Sequence, residues 1–326
     1  MLDCFPHLLV IKTHSSGWSI VAIYPSSQIA AAQSIVPAPD GTGTAITPGP
    51  QTGPQNRYDI TGGTTSRDGA NLFHSFTRFN LNAGDTANFI SNPTVQNILG
   101  RIVGGDASLI NGLIQVSGSN ANLFLINPAG IIFGNNARLD VSGSFFATTA
   151  SGIGFDNRWL SSTGASDYAS LVGTPNVFAF PSQPGSIVNA GQLAVKNGQN
   201  LTLLGGTVIS TGKLSAPGGQ ITVAAVPGEN LVRLSQNGLL LNLEVSPAAS
   251  QSGVPTLPFS PLSLPRLLAG AGADHATGIT ANDRGEIVLT GDVAVPIVPG
   301  SAIVSGTAEA SATTVPGEQL TFWATG

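Results

Sequence analysis

The chain has 326 residues, enough for one large domain or two ordinary ones, yet only 9% of them are charged. Its formal net charge is −5, and no cluster of Lys and Arg occurs anywhere, which argues against nucleic-acid binding. No apolar run reaches the ~18 residues that a membrane-spanning helix needs.

Glycine (41 residues) and proline (22) are abundant, and three Lys, five Glu and one Met leave few strong helix formers. Thr, Ser, Asn, Val and Ile fill the chain instead and favour strands and turns. A polar but uncharged surface of this kind suits a stacked β-solenoid, in which like charges would otherwise line up rung on rung. The one cysteine, Cys4, lies at the extreme N-terminus, which argues against a disulfide framework and a Cys-based zinc site.

In chain order, residues 1–32 read as an atypical export signal. The basic region is thin (Lys12 against Asp3), the apolar core Trp18–Tyr24 is short and followed by Pro25, and Ala30-Ala31-Ala32 offers a small-residue end. A displaced start is the alternative; in either case the segment is set apart from the fold, and residues 33–326 are read as one domain. Ser34 to Gln55, rich in Pro, Gly and Thr, reads as an extended capping segment. Short strands follow from Arg57 to Phe89, broken at Gly62-Gly63, Asp68-Gly69 and Ala83-Gly84-Asp85. Val95, Ile98, Leu99 and Ile102 fall at helical spacing and predict one short helix over 92–102.

The organising stretch is Gly112 to Gly143. Ile114, Val116 and Gly118 reappear 25 residues later as Leu139, Val141 and Gly143. Between these phrases, the apolar runs Leu123–Ile126 and Ile131–Gly134 are separated by Asn127-Pro128-Ala129-Gly130, a turn by its Pro and Gly. After a looser segment over 151–183, Gly185–Leu193 recurs as Gly206–Leu214 with a shift of 21, and Asn200–Leu203 recurs as Gln220–Val223 with a shift of 20. A period near 20 carried by β-branched residues and glycine predicts the turns of a parallel β-helix, stacked about 4.8 Å apart.

Residues 230–283 interrupt the period and read as an excursion off the side. Gln236-Asn237-Gly238 is its hairpin signal, Val254–Pro265 is proline-rich, and Leu264–Leu268 suits a helical turn. Rungs are expected to resume at Gly285–Leu289 and at Ala302–Gly306, and Glu318–Phe322 echoes Gln199–Leu203. The sequence stops at Gly326 with no evident cap, and its C-terminus reads as truncated or as that of a bare domain.

These motifs carry a family resemblance. The chain resembles the secretion domain of two-partner secretion exoproteins, the filamentous-haemagglutinin N-terminal or haemagglutination activity domain, in the form common in cyanobacteria. The family's Asn-Pro-Asn-Gly-Ile is met at Asn127, Pro128, Ala129, Gly130 and Ile131, with one departure at Ala129. Its Asn-Pro-Asn-Leu is met in part at Asn92-Pro93-Thr94-Val95. Tyr58–Gly63, Asn71–Phe76 and Asn97–Ile102 extend the likeness, which in weaker form spans about Ser34 to Gly306.

The resemblance implies an all-β, right-handed parallel β-helix with an N-terminal cap and extra-helical hairpins. It also implies a secretion role for Asn127–Ile131 and for Asn92 and Pro93. The implied partner is an outer-membrane β-barrel transporter with periplasmic POTRA-type domains. It would capture the unfolded chain after export by a signal peptide and release it to the cell surface or the medium as a monomer. The alternative reading is a surface adhesin whose solenoid flank binds a glycan or a protein.

Catalytic constellations are near misses, and neither cofactor nor metal is expected. There is no Gly-x-Ser-x-Gly elbow, and Gly212-Lys213 lacks the rest of a phosphate loop. A β-helix polysaccharide lyase, the enzyme alternative, needs clustered carboxylates. Every glutamate here lies at or after Glu229, and Asp106, Asp140 and Asp156 are scattered, mostly beside Gly or Asn. His74 reads as a packed strand histidine, and Asp274-His275 as a loop.

Overall fold

In a computed structural model of the protein, the described residues are 35–50, 55–155, 158–164, 166–226, 228, 230–234 and 300–310. The backbone of strands at 11–12, 18–19, 244–247, 278–281, 287–290, 295–296 and 319–324 is described as well. Residues 1–34 form a unit of their own, in which Ile11–Lys12 and Trp18–Ser19 pair antiparallel. The rest of the expected signal segment, the Gln236–Gly238 turn and the Leu264–Leu268 turn lie outside the described residues.

Within the unit 35–326, three sheets of the described strands form a parallel β-helix with three faces. The first face runs through Arg57–Gly62, Thr86–Ile90, Leu113–Ser117, Arg138–Asp140, Gln192–Ala194, Lys213–Ser215 and Ala308–Glu309. Each of its strands leads to the second face, whose strands include Asn71–Phe79, Asn97–Ile102, Asn122–Ile126, Phe145–Thr148, Leu201–Gly205 and Gln220–Ala225. The third face is narrower: Ser108–Ile110, Ile131–Phe133, Ser186–Asn189, Thr207–Ser210 and Ala302–Val304.

The repeats legible in the sequence are the registers of these ladders. Ile114 pairs with Leu139 on the first face, Ile187 with Val208 on the third, and Leu201 with Ile221 on the second. Leu320 then pairs with Ile221, so the echo of Leu201 in the last strand is also a stack. At the other end Ile35–Pro37 and Thr44–Pro48 pair antiparallel onto the two strands of the first coil and cap it, which ends the parallel ladders of these two faces on antiparallel strands.

Two expectations are corrected. Residues 92–102 hold no helix: the Val95 amide donates to the Asn92 carbonyl to close a turn, and Asn97–Ile102 is a strand of the second face. This strand is buried along its whole length. A strand covered on both sides lacks the alternation that distinguishes it from a helix, so the apolar spacing misleads. Ile287–Thr290 is no rung either. It pairs antiparallel with Gly278–Ala281 and Val295–Pro296 in a small sheet of its own, and the coil resumes only at Ala302–Val304, which pairs parallel with Val208–Ser210.

The looser segment is a structural element. Gly152–Phe155, Arg158–Ser161 and Val177–Ala179 join Asn230–Arg233 and Glu244–Pro247 in an antiparallel side sheet. The described residues therefore form two apolar cores. Leu123, Leu125, Ile131 and Phe133 belong to the solenoid interior. Phe124 and Ile126, on the opposite side of the same strand, join Phe146, Phe155, Phe178 and Val232 in a second core beneath the side sheet. Phe124 and Phe146 are ladder partners whose rings stack 4.3 Å apart.

His74 is the buried titratable group of the solenoid interior. Its ring lies 5.7 Å from that of Phe89 and 6.3 Å from that of Phe76. Nδ1 is 3.4 Å from the Thr44 hydroxyl, and Nε2 has no partner among the described residues. Burial lowers its pKa from 6.5 to about 4. The unfolded imidazole therefore binds the proton more readily than the folded one. His74 contributes stability fully above pH ~6.5 and loses it as the pH falls towards 4, roughly 3 kcal/mol in all. Urea midpoints at pH 7.5 and 4.5 measure this; the wild type is expected to drop between them, and His74→Phe to lose most of that dependence.

Candidate functional site

Asn127–Gly130 turns the chain from the second face to the third, between Asn122–Ile126 and Ile131–Phe133. Asn127 is buried, and its side chain uses both ends of the amide. Oδ1 accepts from the Ala129 amide at 3.0 Å, a local Asx turn. Nδ2 donates to the Asp106 carbonyl at 2.9 Å and to the Ser108 hydroxyl at 3.0 Å, on the preceding coil. Its backbone amide donates to Thr148 of the following coil, and the Gly185 amide donates to the Pro128 carbonyl from the far side of the side-sheet insertion.

The corner thus ties together segments at 106–108, 127–131, 148 and 185. The Gly130 amide closes it by donating a hydrogen bond to the Asn127 carbonyl, and the Gly130 carbonyl accepts from the Ser108 amide. Its φ is +123°, and a Cβ there would stand 3.1 Å from the Ser186 carbonyl oxygen. Glycine suits the position by its conformation, which strains any side chain, and a Cβ would press on Ser186 as well. Pro128 is half-buried, Ala129 is exposed and Ile131 points into the interior. The departure at Ala129 falls where the side chain meets solvent, so it removes no internal bond.

Asn92 builds the same turn. Its Oδ1 accepts from the Thr94 amide at 3.0 Å and from the Thr94 hydroxyl at 2.5 Å. Asn92 and Pro93 are exposed, and only Val95 is buried. This turn leads from the first face to the second, whereas Asn127 leads from the second to the third. The two motifs therefore occupy different corners, at opposite ends of the second-face strands.

Two features escaped the sequence reading. Asn71, Asn97 and Asn122 form an amide ladder, with Nδ2 of Asn97 donating to Oδ1 of Asn71 at 2.9 Å and Nδ2 of Asn122 to Oδ1 of Asn97 at 3.0 Å. Their spacings, 26 and 25 residues, match the period of the central stretch and were the available signal. The second feature is Arg101, 1% exposed and paired with Asp40 at 2.8 Å. Burial opposes the charged form of Asp40, but hydrogen bonds from Ser75, Thr42 and Arg101 outweigh it and hold the carboxyl at about 2 instead of 3.8. A lone arginine in an apolar run gives no hint in sequence of a partner 61 residues away.

Among the described residues no three His, Cys, Asp or Glu side chains gather as a metal site would require.

A comparison with curated proteins gives no match. Among solved structures, the HMW1 secretion domain from Haemophilus influenzae is 22% identical, with a TM-score of 0.43 over 62% of this chain and 46% of that one. This chain therefore spans about half the length of that structure. The filamentous hemagglutinin secretion domain is 16% identical, with a TM-score of 0.45 over 69% of this chain and 71% of that one. The family model of the TPS secretion domain, the domain of two-partner secretion exoproteins, matches residues 35–257. That span takes in the cap, the Asn127 corner and the side sheet, and the chain belongs to the TPS secretion-domain family.

Proposed function

We propose that this domain, without catalytic activity of its own, directs its chain to a dedicated outer-membrane β-barrel transporter with periplasmic POTRA-type domains. It folds into the β-helix as it emerges at the cell surface or in the medium. The observation that carries this reading is the Asn127 corner, where one turn of a TPS secretion domain is bonded to the coils on either side of it. Contacts in a solenoid are made between neighbouring coils, so rungs add one at a time to a formed nucleus. A corner that ties its own coil to the ones before and after it suits that nucleus. Asn127, Pro128, Ala129, Gly130 and Ile131 form the export element, with Asn92 and Pro93 as its second, exposed turn.

The test is co-expression with the cognate transporter, behind a competent signal peptide. The chain is expected in the medium or on the cell surface only when the transporter is present. Retention in the periplasm despite its own partner would overturn the reading.

A further inference from the structure

We infer that Arg101 is a latch that couples closure of the N-terminal cap to closure of the side-sheet insertion, each being held less firmly without the other. The guanidinium stands on the outer side of the second face and is fully buried. Nη2 donates to Asp40 at 2.8 Å, in the loop between the two capping strands. Nη2 also donates to the Gly164 carbonyl at 2.9 Å and Nη1 to the Ser161 carbonyl at 2.7 Å, both in the insertion. Nε reaches the Ser75 hydroxyl of its own face at 3.2 Å. Cap, coil and insertion thus meet at one side chain.

The energetics follow from burial. An arginine cannot shed its charge, so it must be solvated or fully bonded. The cap supplies the one carboxylate and the insertion supplies two carbonyls. With either absent, the other partner is left beside an under-bonded cation and water enters. A second contact reinforces the joint. The Thr42 hydroxyl, in the cap, lies 3.1 Å from that of Tyr168, in the insertion, and the Arg101 guanidinium sits 5.5 Å from the Tyr168 ring. Tyr168 lies 126 residues beyond Thr42. In any process that delivers the chain N-terminus first, the cap stays unlatched until the insertion has arrived.

Native-state hydrogen exchange on the full chain tests this. Asp40→Asn alters only the cap. It is expected to speed exchange at least about tenfold in the insertion hairpin, residues 152–164, as well as in the capping strands. Tyr168→Phe alters only the insertion and is expected to speed exchange in the cap. Should Asp40→Asn fail to fold, Thr42→Val is the milder cap variant and is read at the same hairpin. Loosening confined to the mutated element, with the other unchanged, would overturn the latch. Loosening of both from either side supports it.

Discussion

Phe133→Asp is expected to unfold the solenoid, whereas Phe124→Asp is expected to release the side sheet and leave the coils standing. Phe133 is wholly buried in the interior, with its ring against Phe145 at 6.2 Å. Losing that ring costs about 3–5 kcal/mol, and an unpaired carboxylate in the apolar column adds a further penalty. Against a typical total stability of about 5–15 kcal/mol, the sum removes most or all of the folded state. Phe124 is as fully buried, but it belongs to the core between the second face and the side sheet. An aspartate there strips the sheet from its support, while Leu123 and Leu125 still face inward. Limited proteolysis with far-UV circular dichroism separates the outcomes. Phe124→Asp is cut within residues 151–183 with its β signal retained, and Phe133→Asp loses the signal. Identical behaviour of the two would contradict the division into two cores.

The second large effect is on export. Gly130→Val places a β-branched residue at φ +123° with a Cβ 3.1 Å from the Ser186 carbonyl. The backbone strain is about 1–3 kcal/mol, and the clash adds to it. The displaced turn shifts Ile131–Phe133 from its ladders with Ser108–Ile110 and Ile187–Asn189. Asn127→Ala keeps the backbone but strands the Ser108 hydroxyl and the Ala129 amide, a loss of about 1–3 kcal/mol. Both variants are expected to be synthesised normally and secreted poorly, Gly130→Val more so.

Much of this was legible because a solenoid writes its register into its sequence. The shifts of 25, 21 and 20 residues are the pairings of Ile114 with Leu139, Ser186 with Thr207 and Leu201 with Ile221. What was lost was lost to burial on two sides. Asn97–Ile102 and Asn122–Ile126 face one core inward and another outward, so their apolar runs carry no alternation, and the first imitates a helix. The side sheet was hidden because its local hairpins are joined by a distant antiparallel pairing, Val177–Ala179 with Leu231–Arg233, that repeats nothing. The Asn127 turn was readable from its Pro and Gly. The bonds to Asp106 and Ser108 were not, because they depend on which coil lies beneath.

The claim that the Asn127 corner makes the chain exportable is tested most directly by the secreted-to-cellular ratio at matched expression with the cognate transporter. Wild type, Asn127→Ala and Asn237→Ala, the last in the excursion, are compared side by side. A several-fold fall is expected for Asn127→Ala and a ratio near wild type for Asn237→Ala. Equal secretion of Asn127→Ala and wild type, or a greater loss for Asn237→Ala, would place the export element elsewhere in the chain.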